Sequence, residues 1–192
     1  MTESEWNDCE DAISMLEFVF DQLEIRSDST QHKFGYRLNS GSVAPDSQFE
    51  TTMHRFYLAV CRKIWPLFPD DETQKGVAVA EKWLDGDVPS SALNDCDYYV
   101  EGAAFGIDYK SSPDELNRWI STIDAIPESE LRAMLHPQFT ERPDSYELLK
   151  SAAYFAHYAI MYPAMNPKGL PPDSYHQFLS ADLLRVHMRY AA

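Results

Sequence analysis

The chain has 192 residues and carries 31 acidic against 16 basic side chains, a net charge of −15. Such a surface opposes phosphate backbones and anionic lipid headgroups, which argues against nucleic-acid or membrane partners and leaves room for a basic protein partner. The length suits one well-buried domain, and a hydrophobic content of 44% sets the chain apart from disordered proteins.

Seven glycines are too few for a sandwich or barrel rich in tight turns, and the twelve prolines fall mostly between helical patterns. Cys9, Cys61 and Cys96 are widely spaced and odd in number, which fits free thiols in a reducing compartment. The acidic start, Met1-Thr2-Glu3-Ser4-Glu5, lacks the basic flank and apolar run of a signal peptide, so a cytoplasmic location is expected. No apolar run approaches the roughly 20 residues that cross a bilayer.

In chain order, Thr2 and Glu5 have the capping-box spacing and open a short helix carrying Trp6 and Cys9. From about Asp11, Ile13, Leu16, Val19, Phe20 and Leu23 recur at helical intervals. Residues 26–48 then turn to Ser, Asp, Thr, Gly and Asn around one apolar piece, Phe34 to Leu38, and read as a long polar insertion.

The densest pattern follows, from Phe49 to Gly86. Phe49, Met53, Phe56, Tyr57, Val60 and Ile64 line a wide face, and Pro66 ends the helix. Asp70 caps the next helix, whose Val77, Ala80, Trp83 and Leu84 face inward, and Gly86 stops it. Pro89 suits the first turn of a helix bearing Leu93, Cys96, Val100, Ala104 and Ile107. Ser112-Pro113 and Pro127-Glu128 open two short helices. Residues 144–162 are apolar around most of the circumference, the mark of a central helix. After a proline-rich bridge, Tyr175, Leu179, Leu183, Val186 and Tyr190 align along one final helix. The expectation is an all-α fold: one domain over residues 1–192, a bundle of about eight helices with a long insertion at 26–48.

The chemistry is sparse. No zincin, di-iron or EF-hand spacing exists, and no phosphate-binding glycine loop or serine elbow, so neither metal nor cofactor is expected. Cys61 stands beside Arg62 and Lys63, but helical spacing turns its sulfur to the apolar side, where it packs as a small hydrophobe. Three polar residues sit on or beside apolar faces: His157 on the central helix, Asp97 among Leu93, Val100 and Ala104, and Asp182 at the edge of the last stripe. A His–Asp pair in a cleft acts as a general base and its orienter, which makes His157, Asp97 and Asp182 the catalytic candidates. The competing reading is structural: His157 as a hydrogen-bonded core histidine, Asp97 as a cap or interhelical tie, Asp182 held by Arg185 or Arg189.

Several stretches resemble a paralogous family of uncharacterised planctomycete bacterial proteins. They are Met1-Thr2-Glu3-x-Glu5-Trp6-x-x-Cys9, Met15-Leu16-Glu17-Phe18, and Phe56-x-x-Ala59-Val60-Cys61-Arg62-Lys63-Ile64-Trp65. Ala78-Val79-Ala80-Glu81-Lys82-x-x-Asp85-Gly86 follows, with an echo at Ala181-Asp182-Leu183-Leu184-Arg185. The likeness covers about half the chain and is strongest before residue 90. The connection from Phe18 to Phe56 is longer than the family pattern, and relatives continue past the final echo. The resemblance implies kinship and carries no activity.

The functional expectation is an acidic binding or regulatory module without catalytic activity, with a protein partner that is basic. The alternatives are an immunity-type protein that neutralises a basic toxin, and a small-ligand binder or enzyme with a pocket around His157.

Overall fold

The Thr2 hydroxyl accepts the Glu5 backbone N–H at 3.2 Å while the Glu5 carboxylate accepts the Thr2 N–H at 2.6 Å, so the capping box forms as written. It starts α1 (Glu3–Asp8), whose Trp6 is buried against Phe18. A computed structural model describes residues 1–22, 48–68, 70–109, 112–162 and 170–188. Apart from residue 48, the expected insertion at 26–48 lies outside the described residues.

Asp11 accepts the Ile13 backbone N–H and the Ser14 hydroxyl and leads into α2 (Ala12–Gln22). Then come α3 (Gln48–Lys63), a 3-10 turn (Trp65–Leu67), α4 (Asp71–Leu84) and α5 (Ser90–Tyr109). They are followed by α6 (Pro113–Asp124), α7 (Glu128–Met134), α8 (Ser145–Ile160), a 3-10 segment (Asp173–Phe178) and α9 (Ala181–His187). The fold is all-α, as expected, with nine α-helices and no strand among the described residues.

The end of the chain departs from the expectation. The stripe from Tyr175 to Val186 predicts one helix, but Leu179 and Ser180 are extended and divide it. Phe178 and Leu179 are both fully buried, and neighbouring positions both reach the core more readily from extended backbone than from helix. Ser180 then caps α9 through the Leu183 N–H, and Val186 points outward at 75% exposure. Tyr190 lies outside the described residues.

The break after α3 has a simple cause. Pro66 cannot continue an α-helix, so the chain tightens into the 3-10 turn; Asp70 then accepts the Thr73 N–H and starts α4. Gly86, at φ 80°, makes the left-handed turn that ends α4.

Helix α8 is central, packing against α3, α4, α5 and α6 as its all-round apolar surface requires. Helix α3 is nearly as enclosed, between α4, α8 and α9. One continuous hydrophobic cluster draws side chains from all nine helices. Helix α4 meets α5 and α8 closely at Gly76, where a Cβ would press on Val100 and Ile160. No helix among the described residues is long and apolar enough to cross a membrane.

Candidate functional site: the exposed face of α5

Helix α5 is built with two opposed faces. Leu93, Val100, Ala104 and Ile107 turn to the core. Tyr98, Phe105 and Tyr109, at i, i+7 and i+11, turn the other way, and Gly102 falls between them on the same face. Tyr98 and Tyr109 are 76% and 78% exposed, and Tyr99 beside them is 57% exposed. The rings pair edge to face, Tyr98 with Tyr99 at 5.6 Å, while Phe105 lies 6.4 Å from Tyr109 and 5.9 Å from Tyr154. Sequence reading traced only the inward stripe of this helix. The signal for the outer one was its seven- and four-residue spacing.

Two polar clamps hold α5 to α8. Asp97 Oδ1 lies 2.8 Å from His157 Nε2, so the two catalytic candidates, 60 residues apart, do meet. Three turns along, Asp108 accepts hydrogen bonds from Tyr146 Oη at 2.9 Å and Tyr154 Oη at 3.1 Å, and Lys150 Nζ lies 2.9 Å away. Asp97 faces the C-terminal end of α8 and Asp108 its N-terminal half, so the helices run antiparallel with a carboxylate at each end of the seam. Burial alone would raise the Asp108 pKa. The hydrogen bonds from Lys150, Tyr146 and Tyr154 overturn that and hold it low. Burial and the Asp108 bond push Tyr154 up to about 12, so it remains a hydrogen-bond donor.

The His157–Asp97 pair sits at the edge of the seam, with side chains 15% and 24% exposed. A histidine and a carboxylate can hold and pass a proton, but no nucleophile or oxyanion donor is hydrogen-bonded to them among the described residues. Asp182 lies elsewhere, 93% exposed on α9, with Arg185 Nη1 at 2.7 Å. Arg185 also donates to the Trp6 and Cys9 carbonyls, so Asp182 orients an arginine that ties α9 to the N-terminal segment.

The charges on α5 have one sign: Asp95, Asp97, Glu101 and Asp108, with no lysine or arginine along the helix. Asp97 and Asp108 face the clamps, which leaves Asp95 and Glu101 beside the aromatic strip.

Sequence reading also missed a buried polar belt. His54 is 1% exposed, with its ring between Trp83 and Tyr162. Its nitrogens approach the carbonyls of Ala159 and Ile160 at the end of α8 without a well-formed hydrogen bond. Burial drives its pKa down to about 3 despite those carbonyls, and the ring is neutral. Burial likewise raises the Tyr57 and Tyr158 hydroxyls, and the neighbouring Tyr162 acts on both in the same direction. The Cys61 thiol is fully buried and its pKa is raised by desolvation, so it packs as expected. No three His, Cys, Asp or Glu side chains among the described residues are grouped to hold a metal ion. No protein-family model, curated protein or solved structure matches the chain.

Proposed function

We propose that this protein is an acidic binding module that holds a basic protein partner on the aromatic face of α5. The observation that carries the reading is the strip itself: four of the six large apolar side chains exposed among the described residues, Tyr98, Tyr99, Phe105 and Tyr109, lie on this one helix. Exposed rings grouped on a rigid element mark interaction surfaces. Asp95 and Glu101 select a partner with lysine or arginine, whose cations also stack on tyrosine faces.

Gly102 supports the reading. A glycine inside a helix costs about 1 kcal/mol relative to alanine. Here nothing among the described residues lies within 4 Å of where a Cβ would stand, so packing among them does not require it. Without a side chain, position 102 is a notch between Tyr98 and Phe105 that accepts a partner's side chain or backbone.

In this reading residues 1–192 act as one domain, catalysis plays no part, and the clamps at Asp97 and Asp108 keep the strip rigid. The three free thiols fit a reducing cytoplasm. Neutralisation of a basic toxin is a special case of the same chemistry, favoured by the single sign of charge on α5. The planctomycete likeness is compatible with it: Arg62 bonds Glu81, and Arg185 of the last echo reaches the first segment at Trp6 and Cys9.

The test uses a short amphipathic peptide of arginine and leucine, titrated calorimetrically into the wild type and the Tyr98→Ser/Phe105→Ser/Tyr109→Ser variant. Saturable binding that weakens about a hundredfold in the variant, roughly 3 kcal/mol, supports the reading. Equal affinity in both proteins overturns it. So does a stable homodimer that buries the strip, because a second copy is then the occupant.

A further inference from the structure

A cleft of about 510 Å³ opens between α3, α4 and α9. Its apolar lining is Leu58, Ala59, Leu84 and Leu183. Its ionisable lining runs against the sign of the molecule: Arg55, Arg62, Lys63 and His187 against the single carboxylate of Glu81. In a chain with 31 acids and 16 bases, that reversal calls for a cause.

The local carboxylates are already committed. Glu81 takes Arg62 Nε at 2.8 Å, with the guanidinium 4.2 Å from the Trp65 ring centroid. Asp85 takes Arg55 Nη2 at 2.8 Å, and the same nitrogen donates to the Leu84 carbonyl. A guanidinium has five N–H donors in a planar fork, so both arginines keep donors beyond these bonds.

Lys63 is half-buried and has no carboxylate within ion-pair distance among the described residues. Burial lowers its pKa, and Asp182, itself held by Arg185, offsets this only from a distance. His187 on α9 is lowered by burial and then by the charge of Arg55. Placement of Arg62 and Lys63 in the last turn of α3 answers the helix dipole, but it explains neither Arg55, two turns earlier, nor His187 on another helix.

We propose that this cleft binds a small organic anion, a carboxylate or phosphate group on an apolar frame. Lys63, Arg55 and His187 meet the acidic oxygens, and Leu58, Leu84 and Leu183 meet the frame. The volume is that of a small-ligand site. A bound anion supplies the counter-charge that Lys63 lacks and relieves the pressure of Arg55 on His187. The site is independent of the α5 strip and stands or falls separately.

The probes are benzoate and phenyl phosphate, with benzyl alcohol and inorganic phosphate as controls, followed through the His187 imidazole resonances by NMR. Arg55 of α3 is the charged group that bears on His187, and Arg62 and Lys63 of α3 and Glu81 of α4 line the same cleft. Saturable binding of the aromatic anions with an upward shift of the His187 pKa is expected. Lys63→Met, which keeps the stem and removes a half-buried charge, weakens binding about tenfold, and Lys63→Arg restores it. The proposal is overturned if the aromatic anions leave His187 unchanged or if Lys63→Met binds as tightly as the wild type. It is equally overturned if inorganic phosphate or benzyl alcohol binds as well as phenyl phosphate.

Discussion

At the scale of single residues, burial sets the protonation of the core histidines. His54 shows it most strongly, held near pKa 3 in the folded chain against about 6.5 when unfolded. A histidine with a depressed folded pKa binds more protons unfolded, so its contribution to stability is full above about 6.5 and is lost as pH falls toward 3. Urea denaturation at pH 7 and pH 5 therefore shows a loss of about 2 kcal/mol from this site. His54→Phe, of similar shape and without stranded nitrogens, removes that loss and leaves the smaller slope of His136 and His187, which burial shifts in the same direction. An unchanged pH slope in the variant counts against this assignment. The sequence placed Met53, Phe56 and Tyr57 in the core but not His54, because α8 approaches that side of α3 only in the folded chain. His157 and Asp97 were each visible as polar residues beside apolar stripes. Their meeting across 60 residues was a matter of tertiary packing. Asp182 was legible with its partner, since Arg185 lies one turn away on the same helix.

At the scale of elements, two glycines on neighbouring helices make opposite predictions. Gly76 of α4 stands where a Cβ meets Val100 and Ile160, so Gly76→Ala destabilises by about 1–3 kcal/mol. Gly102 of α5 faces open space, so Gly102→Ala stabilises by about 0.5–1 kcal/mol while filling the notch and weakening peptide binding. Thermal denaturation of the pair checks the two signs together. The α5–α8 seam makes a third prediction. Asp108→Ala strips two tyrosine hydroxyls and Lys150 of their acceptor, lowers stability by about 1–3 kcal/mol, and loosens α5 in hydrogen exchange. Most elements were legible because their start and stop signals are local: Thr2 and Asp70 cap as expected, and Ser112 opens α6. The last helix was misread because Tyr175, Leu179 and Leu183 keep helical spacing across a real break, and only the joint burial of Phe178 and Leu179 reveals it.

At the scale of the whole molecule, the central claim is that an acidic all-α protein presents one aromatic helix face to a basic partner. In that proposal, net charge selects the sign of the partner and the strip selects the place. The α5 face was readable in principle from its spacing. The cationic cleft was not, because its residues come from three helices and converge only in the fold. Hydrogen exchange of the wild-type protein, with and without the arginine–leucine peptide, tests the claim most directly. Protection is expected to concentrate on α5 between Asp95 and Tyr109 and to fade as salt is raised. Protection spread evenly over the acidic surface, or centred away from α5, would contradict it.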